Sequence, residues 1–188
     1  MKQAATLTER QLKQVLAHCV TRQHAARDRA IVMVSFLAGL RAKEIAALDL
    51  SDVTDTDGNV CAEFVLTPEQ TKGSKSRRVF VSQRLQKELS AYIRQRKTRP
   101  KCDALFATQK DQAFSANSLC QLFLKIYAEA GITGASSHSG RRSLLTSLAA
   151  KGVSVRVLQE IAGHCSMAIT QRYIDVNDHQ MRAAIELM

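Results

Sequence analysis

The sequence predicts a mainly helical protein with a small antiparallel β-sheet. Three observations carry this expectation. Apolar residues recur at three- and four-residue spacing on both sides of a central stretch. That stretch, about residues 55–81, changes to β-branched and aromatic residues bracketed by turn chemistry. Only 8 Gly and 2 Pro interrupt the 188 residues, and 45% of them are apolar, so a core of useful size can be buried. No internal repeat, low-complexity tract or linker stands out, and residues 1–188 are read as one domain.

Thr8-Glu9-Arg10-Gln11 matches a capping box, and Leu12, Val15 and Leu16 follow on one face, which predicts a helix over about Thr8 to Val20. A second, largely buried helix is expected from about His24 to Ala38, ended by Gly39. Ala42 to Leu48 reads as a short helix carrying Glu44 and Ile45. Asp55-Thr56-Asp57-Gly58-Asn59 is a turn. Val60 to Leu66 and Arg78 to Val81 are β-like, and the basic turn Thr71-Lys72-Gly73-Ser74-Lys75 lies between them, so a hairpin is expected. Leu85, Leu89, Tyr92 and Ile93 restore helical spacing. Leu119, Leu122, Phe123 and Ile126 mark another helix, ended near Gly131. Helices over Arg141 to Ala150 and Val155 to Ala162 follow, then an apolar stripe of Met181, Ala184, Ile185 and Met188.

The longest apolar run, Ala30 to Leu40, is broken by Ser35 and Gly39 and is shorter than the roughly 20 residues a membrane span needs. The opening Met1-Lys2-Gln3-Ala4-Ala5 leads into polar sequence and is read as carrying no secretory leader. The five cysteines, at 19, 61, 102, 120 and 165, are odd in number and widely spaced, which argues against a disulfide framework; most are expected to be buried. No HExxH, carboxylate cluster or CxxC accompanies His138, His164 and Cys165, so no metal site is expected. The formal charge is +10, and its distribution is uneven. Between Lys72 and Lys101 stand eleven Lys and Arg residues against Glu88 alone, which accounts for the whole excess. Such a segment suits either a polyanionic partner, nucleic acid foremost, or a solvated basic face.

Four short segments carry candidate chemistry, and each alone also fits an ordinary surface or core role. Gly39-Leu40-Arg41-Ala42-Lys43-Glu44-Ile45 sets an arginine at a helix start. Lys72-Gly73-Ser74-Lys75 is a basic hairpin turn. His138-Ser139-Gly140-Arg141-Arg142 places a histidine and an arginine three apart. Gly163-His164-Cys165 precedes Tyr173 by nine residues.

Taken in order, these segments resemble the catalytic domain of the tyrosine recombinase (phage integrase) family over about Leu7 to Asp175. The family's first arginine block, TGLRxxEL, is matched by Ala38 to Ile45 and its hairpin lysine by Lys72. HxLR is matched by His138 to Arg141, LLGH by Ile161 to His164, and the tyrosine block by Ile169 to Asp175. Gly140 stands where a leucine is usual and Ala38 where a threonine is common.

The resemblance implies site-specific cleavage and rejoining of double-stranded DNA, for integration, excision or inversion, with no cofactor and no metal. Tyr173 would attack a phosphodiester to give a 3′-phosphotyrosine and a free 5′-hydroxyl, preserving the bond energy for rejoining. Arg41 and Arg141 would clamp the two non-bridging oxygens, since guanidinium forks donate paired hydrogen bonds and stay charged. A free tyrosine hydroxyl titrates near about 10, so a base is needed, and His138 takes that role. Lys72 would protonate the leaving oxygen, and His164 would donate to a phosphoryl oxygen. Lys43, Lys75, Arg77, Arg78 and Arg142 are candidate DNA phosphate contacts.

The family likeness further implies self-association on DNA as a dimer or tetramer, with an accessory or host recombinase as a further partner. It implies residence in the cytoplasm of a bacterium, with the nucleoid, and no membrane. The chain is read as a catalytic domain without the family's N-terminal core-binding domain, either as a piece of a longer chain or as a short form like the fimbrial-switch invertases. A C-terminal helix over about 176–188 would either pack on its own core or dock on a neighbouring protomer, as in the family. Two other functions remain open from the sequence: a non-catalytic DNA-binding accessory, and a type IB topoisomerase-like enzyme.

Overall fold

A computed structural model describes residues 4–71, 75–96, 102–174, 181 and 185–186. In these the chain forms α1 (Glu9–Val20), α2 (Ala25–Leu37), α3 (Ala42–Ala46) and α4 (Leu50–Val53). The strands β1 (Glu63–Leu66) and β2 (Arg77–Phe80) follow, then α5 (Gln83–Gln95), α6 (Ala116–Glu129), α7 (Ser139–Ala150), α8 (Val155–Ala162) and α9 (Met167–Gln171). The mainly α architecture with a two-stranded antiparallel sheet is the one expected from the sequence.

Local chemistry accounts for most boundaries. Thr8 caps α1 through the expected reciprocal box, its hydroxyl accepting from the Gln11 amide while the Gln11 side chain accepts from the Thr8 amide. Ser82, Ser115, Ser154 and Ser166 cap α5, α6, α8 and α9 with their hydroxyls. Gly163 ends α8 in the left-handed conformation, φ 59°. The short helices α4 and α9 have no counterpart in the sequence reading.

Helix α2 is the axis of the core. Its residues Ala30 to Phe36 are all buried, and it packs against α1, α5 and α7. The hairpin pairs Phe64 with Val79 and Leu66 with Arg77, and these four side chains turn inward. A second, smaller cluster of Leu145, Leu158 and Ala162 joins α7 to α8, and Tyr173 and Ile174 pack against it. Of the five cysteines only Cys19 is buried; Cys165 is exposed and the other three are half-buried, which corrects the expectation that most would be interior. Met181 and Ile185 of the C-terminal stripe are exposed, while Ala184, Met188 and most of the expected 176–188 helix lie outside the described residues.

The departure at Gly140 has a steric reason. A Cβ added there would stand 2.4 Å from Ser35 Oγ and 3.0 Å from Phe36 Cδ2, so α7 meets α2 at a point with room for glycine alone. Gly140→Ala is expected to cost about 1–3 kcal/mol by forcing the helices apart, more than the gain of under about 1 kcal/mol in helix propensity. A urea titration checks this, and an unchanged midpoint would show that the α2–α7 contact yields freely.

Candidate active site

The site is assembled at the seam between the main core and the α7–α8 cluster. Gly39, with φ 64°, turns the chain out of α2 so that Arg41 starts α3. The Arg41 amide donates to Glu44 Oε2 (2.8 Å) and its Nη1 to Glu44 Oε1 (2.6 Å), closing one helical turn on itself. From β2, Arg77 Nη2 donates to Glu44 Oε2 (2.8 Å), and its Nη1 donates to the Ile161 carbonyl at the end of α8 (2.6 Å). From α7, Arg141 donates to the Gly39 carbonyl (2.7 Å) and the Ala162 carbonyl (2.5 Å). Arg141 Nη2 also lies 3.0 Å from His164 Nε2. One carboxylate and three carbonyls therefore hold three guanidinium groups in place.

Electrostatically the cluster is incomplete. Glu44 is fully buried and Arg141 only 3% exposed. Burial alone would raise the Glu44 carboxyl, but Arg77 and Arg41 outweigh it and hold it below its ordinary value. Burial and the charges of Arg41 and Arg77 push Arg141 down, though a guanidinium stays protonated at any physiological pH. Three cations thus face one anion, an excess of two positive charges that invites an anionic ligand.

His164 is 8% exposed, with Nδ1 2.9 Å from Thr170 Oγ1. The Tyr173 ring stacks on it, centroids 5.5 Å apart at 20°, and the Arg142 guanidinium stands over the Tyr173 ring at 5.6 Å. Burial and the field of Arg141, Arg41 and Arg77 push the His164 imidazole down to about 4. The unfolded chain, whose histidine titrates near about 6.5, therefore takes up this proton first as pH falls. The contribution is complete above about pH 6.5 and lost toward pH 4, amounting to about 3 kcal/mol. Urea unfolding at pH 7.5 and 4.5 should show the wild type losing more stability on acidification than His164→Gln by about that amount. Equal losses would disprove the linkage.

A sequence model of the phage integrase family matches residues 5–180. The chain belongs to that family. It is 32% identical over 191 residues to tyrosine recombinase XerD of Neisseria meningitidis serogroup B, covering 96% of this chain and 61% of the relative. It thus spans about three-fifths of the length of such curated relatives. The crystal structure of XerA recombinase superposes with TM-score 0.79 at 25% identity, over 100% of this chain and 64% of the other. The catalytic domain of bacteriophage HP1 integrase shares the fold, with TM-score 0.68 at 24% identity over 98% and 95% of the two chains.

Of the residues that the phage integrase motifs single out, Arg41, Arg141, His164 and Tyr173 converge in this site although they come from three separate segments. His138 stands exposed at the start of α7, one turn before Arg141. Lys72 lies outside the described residues. The base of its hairpin is tied to the arginine block by Lys43 Nζ, which donates to the Thr71 carbonyl (3.0 Å).

The expected DNA contacts divide. Lys75 is exposed, and Arg78 is exposed on the outer face of the hairpin, 3.8 Å from Glu63. Arg77, also expected as a phosphate contact, lies on the opposite face of the hairpin from Arg78. Strand alternation turns it inward, where it is 8% exposed and already engaged with Glu44 and Ile161, so it acts as a pillar of the site. Gly163 makes room for it, since a Cβ there would lie 2.3 Å from Arg77 Cδ. Glu44 and Thr170 are not among the expected site residues, although Glu44 falls on the glutamate of the TGLRxxEL block and Thr170 lies within the tyrosine block. Among the described residues no group of three or more His, Cys, Asp or Glu is placed to hold a metal, and no helix is long and apolar enough to cross a membrane.

Proposed function

We propose that the protein is a site-specific DNA recombinase that cleaves and rejoins double-stranded DNA through a 3′-phosphotyrosine on Tyr173. The observation that carries this is the excess of two positive charges held by Arg41, Arg77 and Arg141 around Glu44, beside the Tyr173 ring. A phosphodiester attacked by an oxygen concentrates negative charge on its two non-bridging oxygens. Prepositioned guanidinium groups in a water-poor site stabilise that charge without reorganising during the reaction, a role metal ions fill elsewhere. Arg41, half-buried at the start of α3, and Arg141 are the clamps; Glu44 holds the first, and the Gly39 and Ala162 carbonyls hold the second.

His138 accepts the Tyr173 proton, and Lys72 delivers one to the 5′-oxygen that leaves. Bond energy passes into the phosphotyrosine ester, so the 5′-hydroxyl of the same or another strand reverses the step without ATP. Lys43, Lys75, Arg78 and Arg142 supply DNA phosphate contacts, Arg142 from its place over the Tyr173 ring. Recombination requires two such chains on each duplex site, and the exposed Met181 and Ile185 supply an apolar surface for docking on a neighbouring protomer. The setting is the bacterial cytoplasm, where chromosomal or phage DNA is accessible, and an accessory or host recombinase is a further partner.

A nicked suicide substrate, from which the short 5′-hydroxyl fragment diffuses away after cleavage, tests the reading. With EDTA present, an SDS-resistant protein–DNA adduct should accumulate and its peptide should map to Tyr173. DNA bound without any adduct would favour the accessory reading, and relaxation of supercoils without site preference the topoisomerase one.

A further inference from the structure

The hydrogen bonds around His164 assign its proton and give Thr170 a task. An arginine side chain offers only donors, so the 3.0 Å contact between Arg141 Nη2 and His164 Nε2 needs a lone pair on that nitrogen. A neutral imidazole carries one N–H, which is then on Nδ1, 2.9 Å from Thr170 Oγ1. Thr170 is fully buried on α9, and its carbonyl accepts from the Tyr173 amide at 3.0 Å.

We propose that Thr170 is a positioning residue: its buried hydroxyl accepts the His164 Nδ1 proton, fixing the ring with its Nε2 lone pair on Arg141, while its backbone anchors the segment that carries Tyr173. Arg141, His164, Thr170 and Tyr173 then form a closed circuit, since the Tyr173 ring stacks back on His164. Without the hydroxyl, the Nδ1–H would be a buried donor with no acceptor. The other tautomer would set Nε2–H against the Arg141 donors, and clamp and nucleophile would lose their common reference. In the Nδ1–H form the ring orients Arg141. Donation from Nε2 to a phosphoryl oxygen, expected from the family resemblance, needs a second proton on the ring.

The catalytic part of this inference rests on the recombinase reading, so the test has two independent arms. In the first, the wild-type chain of 188 residues, Thr170→Val and Thr170→Ser are compared in single-turnover cleavage of the nicked substrate and in DNA affinity. Thr170→Val should cleave about tenfold or more slowly with affinity within about twofold, and Thr170→Ser should cleave within about threefold of wild type. In the second arm, ¹⁵N-histidine-labelled protein without DNA reports the tautomer, with the His164 signal assigned as the one missing in His164→Gln. Wild type and Thr170→Ser should show Nδ1–H, and Thr170→Val should move toward Nε2–H. A wild-type ring protonated on Nε2, or Thr170→Val cleaving at the wild-type rate, would overturn the proposal. Absence of any wild-type adduct would instead count against the recombinase reading, and the spectrum would still decide the hydrogen-bond assignment.

Discussion

Tyr173→Phe should remove the covalent DNA adduct completely, with DNA affinity within about twofold and the unfolding midpoint within about 2 °C of wild type. The effect is all or none because the oxygen removed is the atom that would bond to phosphorus. The rest of the side chain is retained. A phenylalanine ring still stacks on His164 and still lies under Arg142, since both contacts use the ring face and not the hydroxyl. Its packing against Leu145, Leu158 and Ala162 is likewise unchanged. Loss of the adduct therefore reads chemistry, not folding. An adduct persisting in the Phe variant would mean that another group attacks the phosphate and that Tyr173 is not the nucleophile.

The second large effect is expected at Glu44, which touches no substrate. Glu44→Gln keeps the shape but removes the single negative charge among three guanidinium groups. It also turns an amide NH₂ toward donors on Arg41 or Arg77, which now lack an acceptor. Breaking a buried ion pair on one side costs about 3–5 kcal/mol, because the remaining charge stays buried and uncompensated. In a chain of this size that corresponds to a fall of about 6–20 °C in the unfolding midpoint. Calorimetry at neutral pH checks the value. The carboxylate's lowered titration makes its own contribution present above the ordinary carboxylate range and lost as pH falls through the folded-state value. The gap between wild type and variant should therefore narrow in acid. A midpoint within about 2 °C of wild type would show that water, not Glu44, balances the arginines.

The two substitutions differ in how visible their sites are in the chain. Tyr173, Arg41 and Arg141 can be singled out because the ordered blocks that hold them resemble those of the phage integrase family. The longer helices are legible for a different reason. Capping residues and apolar spacing are local, and they bound α8 residue for residue. Helices α4 and α9 are not legible in this way, since four or five residues offer too little periodicity to separate a helical turn from a loop. The inward position of Arg77 is not legible from its charge, because strand register sets it opposite Leu66 on the inner face.

Chain chemistry alone therefore gave the helical class, the hairpin and the basic excess between Lys72 and Lys101, while the candidate residues for phosphoryl transfer came from the ordered resemblance to the phage integrase family. The first three follow from the identity and spacing of near neighbours. Which charges compensate one another emerged only on folding. Glu44 joins α3 to β2 through Arg77, and Arg141 draws α7 onto carbonyls from Gly39 and Ala162. Thr170 holds a histidine six positions earlier in one tautomer. Such pairings arise between segments far apart in the chain, or depend on a ring orientation that packing imposes. Their energies come from burial, which a linear sequence does not specify.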